Sequence, residues 1–560
     1  MHLLRVESRS IDGIAGAMDL AQTPADIVAL SFSDTDLAVL AAAWETDKGT
    51  LPSLRLASLT ALRHPYSIDR YAEKVLSKAR FVLVRLLGGM DYWRYGVDEV
   101  SALARSSGFH LAIVPGDQRE DARLDEASTV APAALRRIGA CFAAGGVENM
   151  AGCLRFIAGE IAGAPASTAP AIELFDSPPA DPFGLFPVAM RPAAPGAASA
   201  LIVFYRTWMT AADTDPVVAL GNELSARGFR VTAVYLTSLK DPAAIGPLRA
   251  LLRAERPDVI LNLTAFSARS DHGGSVLDEA DAPVLQLALS GGDHAQWMQS
   301  QRGLGPADLA MNVVLPELDG RIIAGAISFK GEIQRHDALQ FTRLVHQPEP
   351  AGVRYAADLA LAWARLARTP RAERRLACVL SDYPAKAGRT GYAVGLDTPR
   401  SVVRIAARLA DEGFSVAPPN DEATLSAALS AGPSNPVLSL SDYDRLLAAL
   451  PARFVEQLRS AWGDPEGDNY VEDGWFRFRV VRAEDLLIAV QPDRGRPVSR
   501  KADYHNALLP PRQGYVAFYL WLRMIERVHA VIHCGTHGTL EWLPGKATAL
   551  SESCAPRAVL

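Results

Sequence analysis

The residues best equipped for chemistry stand near the end of the 560-residue chain, in His533-Cys534-Gly535-Thr536-His537-Gly538-Thr539-Leu540-Glu541-Trp542-Leu543-Pro544-Gly545-Lys546. Two imidazoles and a carboxylate in one short stretch suit a divalent first-row metal. They suit proton transfer near neutral pH equally well. On a helix, His537 and Glu541 would share a face, being four apart. Gly535, Thr536 and Gly538 belong to a turn whose glycines let the backbone approach a flat, bulky ligand. The competing reading is hydrogen-bonded turn chemistry, which also gathers histidines among glycines. The spacing is not H-E-x-x-H, so a zinc protease is not supported. Cys534 has no sign of an activated thiol and is given no role. Nowhere is there a G-x-x-x-x-G-K-[ST] loop, since Gly545-Lys546 has the wrong spacing before it and Ala547 after it.

The apolar run Val528–Ile532 predicts a strand that delivers His533 to its carboxyl end, preceded by a helix over Tyr515–Glu526. Upstream, strand-like and helix-like runs alternate, which argues for α/β architecture with doubly wound parallel sheets. Strands are expected at Ile27–Leu30, Phe81–Val84 and Leu111–Val114, with Ser33 as a helix N-cap. A Pro-rich stretch over 165–198 reads as a linker. A βαβαβ unit follows, with strands at Leu201–Tyr205, Val231–Tyr235 and Asp258–Leu263, and an amphipathic helix over Tyr355–Arg368. A third region opens on the strand Leu376–Leu380. The expected domains are therefore 1–164, 199–370 and 371–560, arranged around a cleft large enough for a flat substrate.

Ligands of such sheets sit beyond the carboxyl ends of the strands. Arg206 and Trp208 fall there in the second region, and Trp208 is a candidate to stack on a macrocycle, although a partly buried core Trp is the commoner case. His272 and His294, in Gly-containing loops, are further candidates, with turn chemistry as the alternative. His505 is a weaker one. Arg371, Arg374 and Arg375 read as a solvated face, or else as partners for substrate carboxylates.

Composition narrows the classes. Hydrophobic residues at 49% exclude disorder as a description of the whole, and a net charge of −6 excludes a global nucleic-acid footprint. The five cysteines are far apart and form no C-x-x-C pair, which fits a reducing compartment. The first residues reach Arg5, Glu7 and Arg9 without a signal peptide's apolar core, and no apolar run is long enough to span a membrane. A cytoplasmic location is expected.

The segment His533–Lys546 closely resembles the H-x-G-T-H-G-x-x-E-x-x-P-G-K signature of the large subunits of cobaltochelatases and magnesium chelatases. Other segments resemble the same family: Arg85–Gly89 with Tyr92-Trp93-x-Tyr95-Gly96, Gly145–Asn149, Leu315-Pro316-Glu317-x-Asp319-Gly320, Gly391–Leu396, Gln491-Pro492, and Tyr515-x-Ala517-Phe518-Tyr519-x-Trp521-Leu522. The N-terminal segments resemble the cobalt (CobN) type more than the magnesium type.

The resemblance implies a subunit that binds hydrogenobyrinic acid a,c-diamide and inserts Co(II) during aerobic cobalamin synthesis. ATP, with Mg(II), would be hydrolysed by a partner AAA+ subunit, and a further subunit would complete the assembly (CobS and CobT types). His533, His537 and Glu541 would hold the metal, with His537 and Glu541 catalytic. Gly535, Thr536, Gly538, Arg206, Trp208, His272 and His294 would contact the ring. Where a histidine would be expected before Tyr515, this chain has Pro511-Arg512-Gln513-Gly514. The alternatives are a magnesium chelatase H-type subunit acting on protoporphyrin IX, or a tetrapyrrole-binding module without chemistry of its own. Family members continue beyond the signature, so the chain reads as the front part of a longer protein, inactive alone.

Overall fold

The computed structural model describes residues 17–116, 121–161, 181–188, 192–270, 273–332, 335–381, 391, 393, 395–431, 436–496, 502–503, 506–535 and 540–560. The chain divides into two compact units. One comprises Met1–His294, Ala310–Arg321 and Ser328–Glu349; the other comprises Ala295–Leu309, Ile322–Ile327 and Pro350–Leu560.

The first unit opens with β1 (Ile27–Ser31), β2 (Leu54–Ser58), β3 (Phe81–Leu86) and β4 (His110–Pro115), all parallel in the order β2-β1-β3-β4. These strands read as continuous apolar runs because both faces are covered. Ile27, Ala29 and Leu83 pack on one side, against helices Asp34–Thr46, Pro132–Ala144 and Val147–Ile161. Val28, Leu30, Val82 and Val84 pack on the other, against helices Pro65–Lys74 and Arg94–Ser107. Ser33 caps its helix as expected, accepting from the Asp36 amide.

A second sheet contains β5 (Phe183–Leu185), β6 (Ser199–Tyr205), β7 (Arg230–Leu236), β8 (Val259–Asn262), β9 (Val284–Asp293), β10 (Ile322–Glu332) and β11 (Leu344–Pro348), in the order β11-β10-β9-β8-β6-β7-β5. Its core β7-β6-β8-β9 is parallel. Part of the Pro-rich stretch is not linker-like here: β5 joins the sheet antiparallel to β7 as an edge strand, the position where neighbouring prolines are tolerated.

The second unit holds β12 (Leu376–Leu380), β13 (Pro436–Ser439), β14 (Val471–Glu472), β15 (Trp475–Arg477), β16 (Val480–Ala483), β17 (Leu486–Val490) and β18 (Ala530–Cys534). β12 lies centrally and parallel to both β17 and β18, and β16 adds an antiparallel edge. Leu376, Cys378 and Leu380 point into one core and Ala377 and Val379 into the other, the period-two alternation of a strand buried on both faces. Helices Thr398–Asp411 and Glu422–Ser430 cover the first face. Helices Leu440–Leu447, Ala452–Trp462 and Gln513–Leu520 cover the second.

Two expected boundaries shift. The last strand starts at Ala530, not Val528, because its register is set by pairing with β12, Leu376 to Ala530 and Leu380 to Cys534. The helix before it is α-helical only over Gln513–Leu520. It continues as a π-turn through Trp521–Ile525, where the Glu526 amide donates to the Trp521 carbonyl, five residues back.

The candidate site at the end of the third parallel sheet

In a 2-1-3 sheet, neighbouring crossovers run to opposite faces between strands 1 and 3, leaving a crevice at their carboxyl ends. In the second unit those strands are β12 and β18. Ser381 follows β12, Gln491 follows β17 and Gly535 follows β18. The Ser381 amide donates to the Cys534 carbonyl at 3.1 Å, and the Gln491 amide to the Leu380 carbonyl at 3.0 Å. The approach is so close that a Cβ on Gly535 would lie 2.6 Å from Ser381 Cβ and 2.7 Å from its Oγ. Gly535 is therefore required by contact between backbone and neighbouring strand, not only by the shape of a turn.

His533 is the penultimate residue of β18. Its imidazole is reached by water, yet burial by the surrounding protein holds its pKa below the ordinary histidine value. Nε2 lies 2.9 Å from the Tyr519 hydroxyl. Tyr519 and Tyr515 are four apart on the helix Gln513–Leu520, every residue of which is buried, so both phenols share a face. The Gln491 amide donates to the Tyr519 hydroxyl and to the Tyr515 hydroxyl, the latter at 3.2 Å. Burial pushes the Tyr519 phenol up to about 12, so it stays protonated at neutral pH.

A hydroxyl both donates and accepts, so Tyr519 can serve either tautomer of a neutral His533. It donates to a bare Nε2. It accepts from Nε2–H when Nδ1 must present a lone pair to a metal or a proton. A metal-ligating histidine is commonly held through its second nitrogen in this way. Tyr519 and Gln491 are functional candidates that the sequence offered only as parts of family-like segments, with no role attached. The signal available was a pair of phenols at i and i+4 in an otherwise apolar helix, and a polar glutamine directly after a buried strand.

Glu541 lies in a single 3-10 turn, Leu540–Trp542, and is exposed. His537, Thr536 and Gly538 lie outside the described residues, as do His272 and His505, so the His537–Glu541 pairing on a helix face is not described. Among the described residues no group of three or more His, Cys, Asp or Glu side chains is placed to hold a metal ion. The turn is fixed from beneath by Arg494, a wholly buried guanidinium. It donates to the Trp542 carbonyl at 2.6 Å, the Asn506 carbonyl at 2.9 Å and the Leu509 carbonyl at 2.7 Å.

Lys546, the last residue of the signature, does not face the crevice. Its ammonium donates to the carbonyls of Trp297, Met298 and Ser300 at 2.5, 3.0 and 2.7 Å and lies over the Trp297 ring. It caps the C-terminal end of helix His294–Gln299, a placement that a cation favours. Burial lowers its pKa. The following residues continue the clasp: the Ala547 amide donates to the Gln301 carbonyl and the Thr548 amide to the Arg302 carbonyl.

The remaining candidates belong to the first unit. Trp208 packs edge-on against the buried His346, with ring centroids 4.6 Å apart, and Lys330 lies 5.9 Å from its ring. Its indole Nε1 is buried and has no hydrogen-bond partner among the described residues. His346 pairs with Lys330 across β10 and β11, so both project from one face. His294 instead meets Phe329, whose side chain points from the opposite face of β10. Trp208 and His294 are thus not brought to one surface. Arg206 opens the short helix Arg206–Thr210 after β6, and its charge helps to lower the pKa of Asp241.

The Asp319 segment is a structural lock. Asp319 accepts from the Ser267 hydroxyl, the Ala268 amide at 2.6 Å and Arg321 at 2.8 Å, and Arg321 continues to Gln286 at 2.9 Å. Arg374 donates to the Thr369 carbonyl, and Arg371 pairs with Glu412, so these cations serve the protein surface.

Comparison with known proteins fits this geometry. A family model described as CobN/Magnesium Chelatase matches residues 140–560. The chain is 40% identical to an aerobic cobaltochelatase subunit CobN from Sinorhizobium sp and 36% identical to one from Pseudomonas aeruginosa. Each match spans 100% of this chain and 46% of the relative. A solved catalytic subunit of cobaltochelatase from Mycobacterium tuberculosis superposes with a TM-score of 0.74 at 30% identity, over 95% of this chain and 45% of that one. The chain spans just under half the length of these relatives. With the family model matching well over half of its residues, the chain belongs to the CobN/magnesium chelatase family.

Proposed function

We propose that the chain is part of the large, tetrapyrrole-binding subunit of an ATP-dependent cobaltochelatase, which inserts Co(II) into hydrogenobyrinic acid a,c-diamide in aerobic cobalamin biosynthesis. The observation that carries this reading is His533 at the β12–β18 crevice, tethered by Tyr519 and Gln491, at the head of the family signature. The cobalt branch is favoured because the CobN relatives match along the entire chain.

Insertion requires water to leave the ion and a proton to leave a ring nitrogen. His533, His537 and Glu541 hold the partly desolvated Co(II), which is a substrate here, and accept a ring proton. Nitrogen and oxygen ligands bind copper and nickel more tightly than cobalt, so selectivity rests on geometry and supply. Gly535, Thr536 and Gly538 allow the ring close to the backbone. ATP, with Mg(II), is hydrolysed by an AAA+ partner of the CobS type, and a CobT-type subunit completes a cytoplasmic complex.

In the assembled full-length enzyme, His537→Ala or Glu541→Ala should abolish insertion and leave the circular dichroism spectrum unchanged. Wild-type insertion rates in both variants would sink the assignment. Assaying Co(II) and Mg(II) against hydrogenobyrinic acid a,c-diamide and protoporphyrin IX tests the substrate. Turnover only of Mg(II) with protoporphyrin would move the chain to the magnesium branch.

A further inference from the structure

The turn that carries Glu541 has two sides. Leu540 and Leu543 pack into the core beneath it, while Glu541 and Trp542 between them face solvent. An indole is the largest apolar side chain available, and 38% of this one is left exposed. It is not a loose surface residue: its carbonyl is pinned at 2.6 Å by the wholly buried Arg494. The same guanidinium grips the carbonyls of Asn506 and Leu509, the residues that bracket Leu508. Leu508 is 76% exposed. A single buried cation therefore ties together two separate loops, each of which carries an exposed apolar side chain, and one of which also carries Glu541.

We propose that Trp542, on a loop that Arg494 ties to the loop of the exposed Leu508, is the platform on which the conjugated face of the tetrapyrrole rests. This rests on the chelatase reading and deepens it by naming a ring-contacting surface. Aromatic side chains present a flat, polarisable face at little entropic cost, and such stacking discriminates by shape rather than by hydrogen bonding. The placement also gives the neighbouring carboxylate a defined relation to the ring: a macrocycle lying on Trp542 brings its edge to Glu541, one residue back. Arg494 acts as a positioning residue, through the backbone of Trp542.

The test uses the full-length protein. Hydrogenobyrinic acid a,c-diamide and protoporphyrin IX are titrated separately by absorbance and by tryptophan quenching, into wild type, Trp542→Ala, Trp542→Phe and Leu508→Ser. Trp475→Ala, another exposed indole on β15, is the control. Trp542→Ala should weaken binding roughly tenfold and remove part of the quenching, and Trp542→Phe should restore most of the affinity. Leu508→Ser, at a site too exposed to matter for folding, should weaken binding by a smaller factor. Trp475→Ala should bind as wild type does. Wild-type affinity in both Trp542→Ala and Leu508→Ser overturns the platform while leaving the chelatase reading intact. Failure of the wild type to bind either tetrapyrrole overturns both.

Discussion

Tyr519 shows how a buried phenol can hold an imidazole of the signature in place. It is fully buried, and its hydroxyl joins Gln491 to His533. Tyr519→Phe keeps the ring packing and removes that oxygen. The Gln491 side-chain amide then loses one of its two phenol acceptors and keeps the Tyr515 hydroxyl, so the cost is that of one net hydrogen bond, about 0.5–1.5 kcal/mol. Urea unfolding should show that loss, and cobalt insertion should fall because His533 is free to turn. Unchanged stability would mean that the hydrogen bond is not formed in solution. His346 makes a separate prediction. Burial, and then the Lys330 charge, hold its pKa well below the usual value, while Ser328 Oγ lies 3.1 Å from Nδ1. Asp213 binds its backbone amide and lies 3.5 Å from Lys330. The unfolded chain takes up a proton near pH 6.5 that the native state refuses, so the unfolded state binds more protons below that pH. Stability should therefore be full above about pH 6.5 and decline as the pH falls, by at most about 1.4 kcal/mol per unit for this one group. His346→Gln should flatten the decline in urea midpoints between pH 7.5 and pH 5.

At the scale of elements, the crevice depends on how closely β12 and β18 approach at their ends. Gly535→Ala places a methyl 2.6 Å from Ser381 Cβ, and overpacking of this kind costs about 1–3 kcal/mol. Ser381→Gly removes the obstructing side chain, so the double variant should recover most of the loss in a urea titration. Additive losses would show that the strain lies elsewhere. The strands themselves were legible because buried parallel strands are written as apolar runs: Phe81–Leu86, Ser199–Tyr205 and Leu376–Leu380 each contain the run that predicted them. The N-cap Ser33, before the helix Asp34–Thr46, was legible for a similarly local reason. What could not be read was anything decided by partners far away in sequence. Lys546 looks like the end of a catalytic signature, but its ammonium caps residues 297–300. Asp319, in a family-like motif, locks Ser267 and Arg321. The π-turn at Trp521–Ile525 carries no signal of its own, because a sequence with 3.6-residue periodicity accommodates one extra residue per turn without altering its composition.

Across the chain, three sheets repeat one plan, with the first strand between the second and the third: β2-β1-β3, β7-β6-β8 and β17-β12-β18. Each therefore has a ligand-competent crevice between strands 1 and 3, yet side chains occupy them differently. Beside β1 and β3, Arg85 pairs with Asp36 at 2.8 Å and lies over the Phe142 ring. Beside β6 and β8, the Tyr205 hydroxyl donates to the Ala265 carbonyl, and Asn262, Thr264 and Gln286 form a buried hydrogen-bonded set. These two crevices are filled by the protein's own polar groups. Beside β12 and β18 stands a water-accessible imidazole with a phenol behind it. The signature holds no G-x-x-x-x-G-K-[ST] loop and the sequence offers none elsewhere, since Gly545-Lys546 runs on to Ala547. Even its lysine is committed to backbone carbonyls of residues 297–300. Binding and energy supply should then be separable. Titrating hydrogenobyrinic acid a,c-diamide into the purified chain, with and without Mg(II)–ATP, should give the same dissociation constant. Insertion should require the ATPase partner. A nucleotide-dependent change in affinity in the absence of any partner would place an ATP site on this chain and contradict the division of labour.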